Sequence, residues 1–209
     1  MPMRVRVDDT PLGYLLWIIN RSYCRVFHHF AWGGPDPLPR DGPGILVCNH
    51  RSSVDPFILS ATTRRIISFL IAEEYYRIPL FRTLFRWMGC IPVKRNQRDT
   101  AAVRKALKAL EEGRMLCIFP EGGIKRGVEN SSLGVGYLCL RSGVPVIPAY
   151  VEGTPEAASV WRSLLRHSHS TVRFGNACRP PLRSNSRLDR AHISATTAKI
   201  MAAVVALSP

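Results

Sequence analysis

Short apolar runs that stop at polar strings constrain this chain more than any other feature. Ile45 to Cys48 gives way to Asn49-His50, and Met115 to Phe119 runs straight into Pro120-Glu121-Gly122-Gly123. Apolar runs of this length, bounded by turn residues, read as buried strands. Ile66 to Ala72, Cys90 to Val93, Val144 to Val151 and Thr171 to Phe174 have the same character. Pro148 lies inside one of them and predicts an edge or a bulge there, because proline cannot donate to the ladder. Helical patterns lie between the runs. Asp55-Pro56 starts one, with Asp55 in the capping position and Pro56 in the first turn. Arg77 to Met88 is another. Asp99-Thr100 opens a third, with Val103, Leu107 and Leu110 at helical spacing and Gly113 as its stop. Tyr137 to Ser142 ends a fourth, and Ala191 to Leu207 forms the last. Strands alternating with helices predict an α/β domain, a mostly parallel or mixed sheet flanked by helices.

The N-terminal residues 1–32 stand apart, joined to residues 33–209 by the Gly/Pro-rich string Gly33-Gly34-Pro35-Asp36-Pro37 and its continuation. Leu12, Leu15, Leu16 and Ile19 fall at helical spacing, with Arg21 and Arg25 after them. Two readings fit: an amphipathic helix lying in a membrane interface with its cations at the head groups, or an ordinary helix covering the domain. No run reaches the roughly 20 apolar residues that span a bilayer, and the segment lacks the basic start and cleavage site of a signal peptide.

Charge narrows the partners. Lys plus Arg number 29 against 15 Asp plus Glu, a formal net charge of +14, which draws the chain to anionic surfaces or substrates. A nucleic-acid partner would require a basic helix or an aromatic-basic sheet motif, and neither is evident. The six cysteines form no Cys-x-x-Cys pair and mostly sit inside apolar runs. They read as buried free thiols in a reducing compartment, not as a disulfide framework or a metal site.

Three loops carry polar strings at strand ends. In Asn49-His50-Arg51-Ser52-Ser53-Val54-Asp55 the turn folds Asp55 back towards His50. A carboxylate on one imidazole nitrogen leaves the other as a base. Taken alone the pair reads more readily as a buried, satisfied histidine. Gly-x-Ser-x-Gly is absent, so a nucleophile would come from the substrate. The second string, Phe119-Pro120-Glu121-Gly122-Gly123 with Lys125 and Arg126, suits a phosphate or hydroxyl ligand, or else a solvated turn. The third is Gly89-Cys90-Ile91-Pro92-Val93-Lys94-Arg95.

Together and in order, these strings resemble the glycerolipid acyltransferases of the lysophosphatidic acid acyltransferase type. The matching positions are Asn49, His50, Asp55 and Pro56; Gly89, Ile91 and Arg95; Phe119, Pro120, Glu121 and Gly122; and Val144 to Pro148. The chain departs from that pattern at Lys94, at Gly123-Ile124 with Arg126 two positions late, and at Ser131-Ser132-Leu133. These positions belong to the family's acceptor region. The resemblance implies transfer of a fatty acyl group from acyl-CoA or acyl carrier protein to a lysophospholipid hydroxyl, most simply that of 1-acylglycerol-3-phosphate, giving phosphatidic acid; the alternatives are another lysolipid acceptor (a lyso-ornithine lipid, or phospholipid remodelling) and, in another class, a catalytically silent anionic-lipid-binding protein, against which the intact His50 and Asp55 argue. It implies His50 as base, Asp55 as its orienting partner, and Arg95, Glu121, Gly122 and Arg126 at the substrate. It implies no cofactor or metal, and peripheral attachment to the cytoplasmic face of a membrane.

Overall fold

The computed structural model describes residues 6–31, 38–94, 99–120, 129–156, 159–180 and 188–209. Arg95, Glu121, Gly122 and Arg126 lie outside them. Six strands form one sheet: β1 (Gly44–Cys48), β2 (Ile67–Ala72), β3 (Ile91–Val93), β4 (Met115–Ile118), β5 (Val146–Glu152) and β6 (Thr171–Phe174), in the spatial order β3-β2-β4-β1-β5-β6. The first five are parallel, and β6 runs antiparallel to β5. The strands are short and apolar because both faces are covered. Leu46, Cys48, Met115, Cys117, Ile147 and Ala149 point into one core layer, while Ile45, Val47, Leu116, Ile118 and Val146 point into the other.

The second layer is closed by α5 (Thr100–Glu111), α6 (Glu129–Ser142) and α8 (Arg190–Val205). Asp99 caps α5 by accepting from the Ala102 amide, and Gly113 reverses the chain with φ +80°. The first layer is closed by α1 (Pro11–Phe27), α2 (Asp55–Thr62), α4 (Pro79–Trp87) and α7 (Val160–Leu165). α7 and the one-turn α3 (Glu73–Tyr76) are too short to show a period in sequence.

Pro148 is not at an edge, since β5 lies between β1 and β6. It does sit at a bulge. Val146 bridges Cys178 and Ala149 pairs with Phe174, so Ile147 and Pro148 face the three residues Gly175, Asn176 and Ala177. The slip spares the sheet a donor that proline lacks. Five cysteines are buried free thiols, but Cys178 is exposed. Burial pushes the Cys24, Cys90 and Cys139 thiols up to about 12.

α1 settles on the domain through one face only. Cys24 is fully buried, Asn20 Nδ2 donates to Phe57 O at 2.9 Å, and Tyr23 OH donates to Leu164 O at 2.7 Å. Arg21 does not reach out to head groups. Its Nη1 donates to Ala61 O at 2.6 Å, closing the C-terminal turn of α2. Leu12, Leu15, Ile19 and Val26 remain exposed on the outer face. No helix among the described residues is long and apolar enough to cross a membrane.

Behind α1, His28 is fully buried. Its Nε2–H donates to Tyr23 OH (2.9 Å), which itself donates onward, so Nδ1 accepts from Ser168 Oγ (2.8 Å). Burial, reinforced by His167 and His29, lowers its pKa to about 4.

Candidate active site

In a parallel sheet all strands end at the same edge, so loops distant in sequence converge there. β1 and β4 are neighbours, and β5 flanks β1 on the other side. The loop after β1 therefore lies between Phe119-Pro120 and Gly153-Thr154. Its first residue is stitched to β5. Asn49 Nδ2 donates to Val151 O at 2.8 Å, and Val151 N donates to Asn49 Oδ1 at 2.7 Å. The side-chain amide continues the ladder where the main chain turns away.

The turn then brings Asp55 back to His50. Asp55 is the first residue of α2, and Val54 occupies the cap without a side-chain bond. The capping role read from sequence does not hold, because the carboxylate is used inside the loop. Asp55 Oδ2 accepts from His50 Nδ1 (2.9 Å), Arg51 N (2.8 Å) and Ser52 N (2.8 Å), and Oδ1 accepts from Thr154 Oγ1 (2.7 Å). With its side chain only 1% exposed, it needs such a set of donors to offset desolvation. Ser52 Oγ donates to Pro155 O at 2.7 Å and fixes the β5 loop to the same turn. Gly153 has φ +73°, and a Cβ there would collide with the His169 carbonyl, so the chain turns at a residue without one.

His50 is 16% exposed. Its ring stacks on Phe119, with centroids 4.3 Å apart and 23° between planes, and Phe119 stacks on Phe69 behind it. Donation from Nδ1 to a carboxylate places the neutral ring's hydrogen on Nδ1, which leaves the Nε2 lone pair as the basic site. An apolar wall, a fixed tautomer and an opposed carboxylate make a general base for a hydroxyl brought by a substrate. An open cavity of about 440 Å³ lies on the far side of Arg51 and Thr154, lined also by Glu156, Arg166, His167 and Ser168 but by neither His50 nor Asp55. Arg51 is tied to Glu156 at 2.7 Å. Among the described residues no cluster of three or more His, Cys, Asp or Glu could hold a metal.

The structure thus brings His50 and Asp55 together as the sequence spacing predicts. Sequence reading missed Thr154 and Ser52. The signal for Thr154 was present: Gly153-Thr154-Pro155 is a turn string at a strand end, like the others.

A family profile described as Acyltransferase matches residues 29–152. The chain is 30% identical over 125 residues to a 1-acyl-sn-glycerol-3-phosphate acyltransferase of Borreliella burgdorferi, covering 58% of this chain and 50% of that one. It is 30% identical over 126 residues to an N-acylphosphatidylethanolamine synthase of Arabidopsis thaliana, covering 53% and 43%. It spans about half the length of these relatives. The crystal structure of the 1-acyl-sn-glycerophosphate (LPA) acyltransferase PlsC from Thermotoga maritima superposes with a TM-score of 0.67 at 20% identity, over 93% of this chain and 78% of that one. That likeness is one of fold.

Proposed function

This chain belongs to the acyltransferase family, and from that premise we propose that it moves a fatty acyl group from a thioester, acyl-CoA or acyl carrier protein, to the hydroxyl of 1-acylglycerol-3-phosphate, forming phosphatidic acid. The observation that carries the reading is the His50–Asp55 pair, with Nδ1 held at 2.9 Å and Nε2 left as base. His50 Nε2 takes the hydroxyl proton as the oxygen attacks the thioester carbonyl. Asp55 stabilises the imidazolium that forms. When the tetrahedral intermediate collapses, the carbon–sulfur bond breaks and the proton passes to the departing thiolate. General base action of this kind contributes about 10²–10⁴-fold. The remainder comes from positioning and from holding the oxyanion. Arg95, Glu121, Gly122 and Arg126 are assigned to the acceptor on their motif positions alone.

The exposed apolar stripe of α1 and the net charge of +14 support peripheral attachment to the cytoplasmic face of an anionic membrane, from which the lysolipid is taken. A second reading keeps the chemistry and changes the acceptor head group. The departures at Lys94, Gly123-Ile124 and Ser131-Ser132-Leu133 favour it. The test is an acceptor screen with the purified protein, radiolabelled acyl-CoA or acyl carrier protein, and lysolipids of differing head group. Labelled phosphatidic acid as the main product supports the first reading. Preference for a lysolipid with any other head group supports the second. Folded protein that acylates none of them overturns both.

A further inference from the structure

Exposed apolar side chains gather on a second helix besides α1. On α7, Trp161 is 53% and Leu165 is 70% exposed. They are four residues apart and so share one side of the helix. Arg162 and Arg166, also four apart and exposed, stand beside them. The inner side of α7 is fully used: Ser163 is buried, Leu164 packs into the core, and the Leu164 carbonyl accepts from Tyr23 OH of α1. Trp161 also has a neighbour. Phe81 of α4 stacks on it, with centroids 5.7 Å apart and 23° between planes, and Phe81 stacks in turn on Phe85. α4 adds exposed Arg82 and Arg86.

We propose that α7, with Phe81 and the arginines of α4, is a second membrane-docking surface, and that its occupant is an anionic phospholipid bilayer. A Trp and a Leu projecting into solvent between arginines match a head-group boundary. The indole sits at head-group depth, the Leu enters the acyl region, and the guanidinium groups meet phosphates. The charge of the two helices is complementary: α4 and α7 contain no Asp or Glu, and Arg82, Arg86, Arg162 and Arg166 are exposed on or beside them. Two observations favour a bilayer over an anionic protein. The exposed stripe of α1 belongs to the same layer of the sheet, and the Tyr23–Leu164 bond ties the two helices together. Arg166, at the C-terminal end of α7, also lines the cavity that reaches Thr154, the partner of Asp55. A lipid leaving the bilayer beside α7 would therefore enter a cavity that ends at Thr154, one hydrogen bond from Asp55. That last placement rests on the lysolipid reading above, whereas the docking does not.

The test uses the full-length protein carrying W161S and L165S together, and separately R82Q with R162Q. Each is sedimented with phosphatidylcholine vesicles with and without phosphatidylglycerol. The apolar pair should weaken binding to phosphatidylglycerol vesicles at least about tenfold, with unchanged circular dichroism and melting. The arginine pair should remove most of the preference for phosphatidylglycerol. Activity on a lysolipid presented in vesicles should fall for the apolar pair and hold for the same lysolipid in detergent micelles. Binding by both variants within about twofold of wild type overturns the proposal. Unchanged vesicle binding with lost binding to an acyl carrier protein overturns it in favour of a protein partner. Because sedimentation reads binding alone, the docking is decided even if the acceptor screen fails.

Discussion

Asp55→Asn separates charge from shape at the dyad. The amide oxygen can take the Oδ2 position and keep the donors from His50 Nδ1, Arg51 N and Ser52 N. The amide nitrogen then falls at the Oδ1 position, where the Thr154 hydroxyl turns from donor to acceptor. What disappears is one negative charge against the imidazolium formed during transfer. With charge centres about 4 Å apart and an effective dielectric constant of about 20, that attraction is about 4 kcal/mol. Removing it slows the chemical step by about 10³-fold. Stability should fall by only about 1 kcal/mol, because the two backbone amides exchange a charged acceptor for a neutral one. Steady-state transfer and urea unfolding on the same preparation measure both. A variant that turns over within about tenfold of wild type refutes the reasoning. Asp55 would then serve only to hold the turn.

His50→Ala should abolish transfer while the chain still folds, with a stability loss of about 1–3 kcal/mol from the bond to Asp55 and the stacking on Phe119; turnover near wild type would exclude His50 as the base. His28 predicts an acid-sensitive fold. Its pKa is about 4 folded against an ordinary value near 6.5, so between those limits only the unfolded chain binds the proton. Stability is full above about pH 6.5 and falls by about 3 kcal/mol as pH drops to 4; urea titrations should show that slope, and His28→Gln should flatten it. Arg95→Ala or Arg126→Ala should raise the acceptor KM more than the donor KM; if neither constant moves, these residues do not bind the head group. Replacing Leu12, Leu15 and Ile19 together by Ser should weaken binding to anionic vesicles without lowering the melting temperature, and high salt should weaken wild-type binding only in part. Deleting residues 1–31 is a poorer test, because it removes Cys24 from the core and the bonds of Asn20, Arg21 and Tyr23.

Local signals carried much of this architecture. The apolar runs became β1, β2, β4 and β5 nearly to the residue, and Asp99 and Gly113 marked the two ends of α5, because strand runs and caps depend on near neighbours. The His50–Asp55 pairing was equally legible, being set by one turn of five residues. What sequence could not supply depends on distant chain. Thr154 meets Asp55 across 99 residues, and Arg21 folds onto the domain because Ala61 offers a carbonyl across 40. α1 had two readings in sequence because it has two different faces. Cys24 and Tyr23 bind it to the domain, while Leu12, Leu15 and Ile19 do not touch the core.

The stitching of Asn49 to Val151 sets a timetable for the nascent chain. Asn49 and Val151 are 102 residues apart, and ribosomes add about 5–20 residues each second. His50 therefore emerges several seconds before the strand that steadies its loop and the hydroxyl that braces its carboxylate. Until β5 arrives, Asn49 has no ladder to extend and Asp55 lacks Thr154. An unfinished or truncated chain ending before Thr154 bears both residues of the dyad and the turn that pairs them, but neither the Val151 ladder nor the Thr154 hydroxyl that holds them in place. On the acyl-transfer reading proposed above, full activity should begin only when β5 pairs with β1 and Thr154 reaches Asp55.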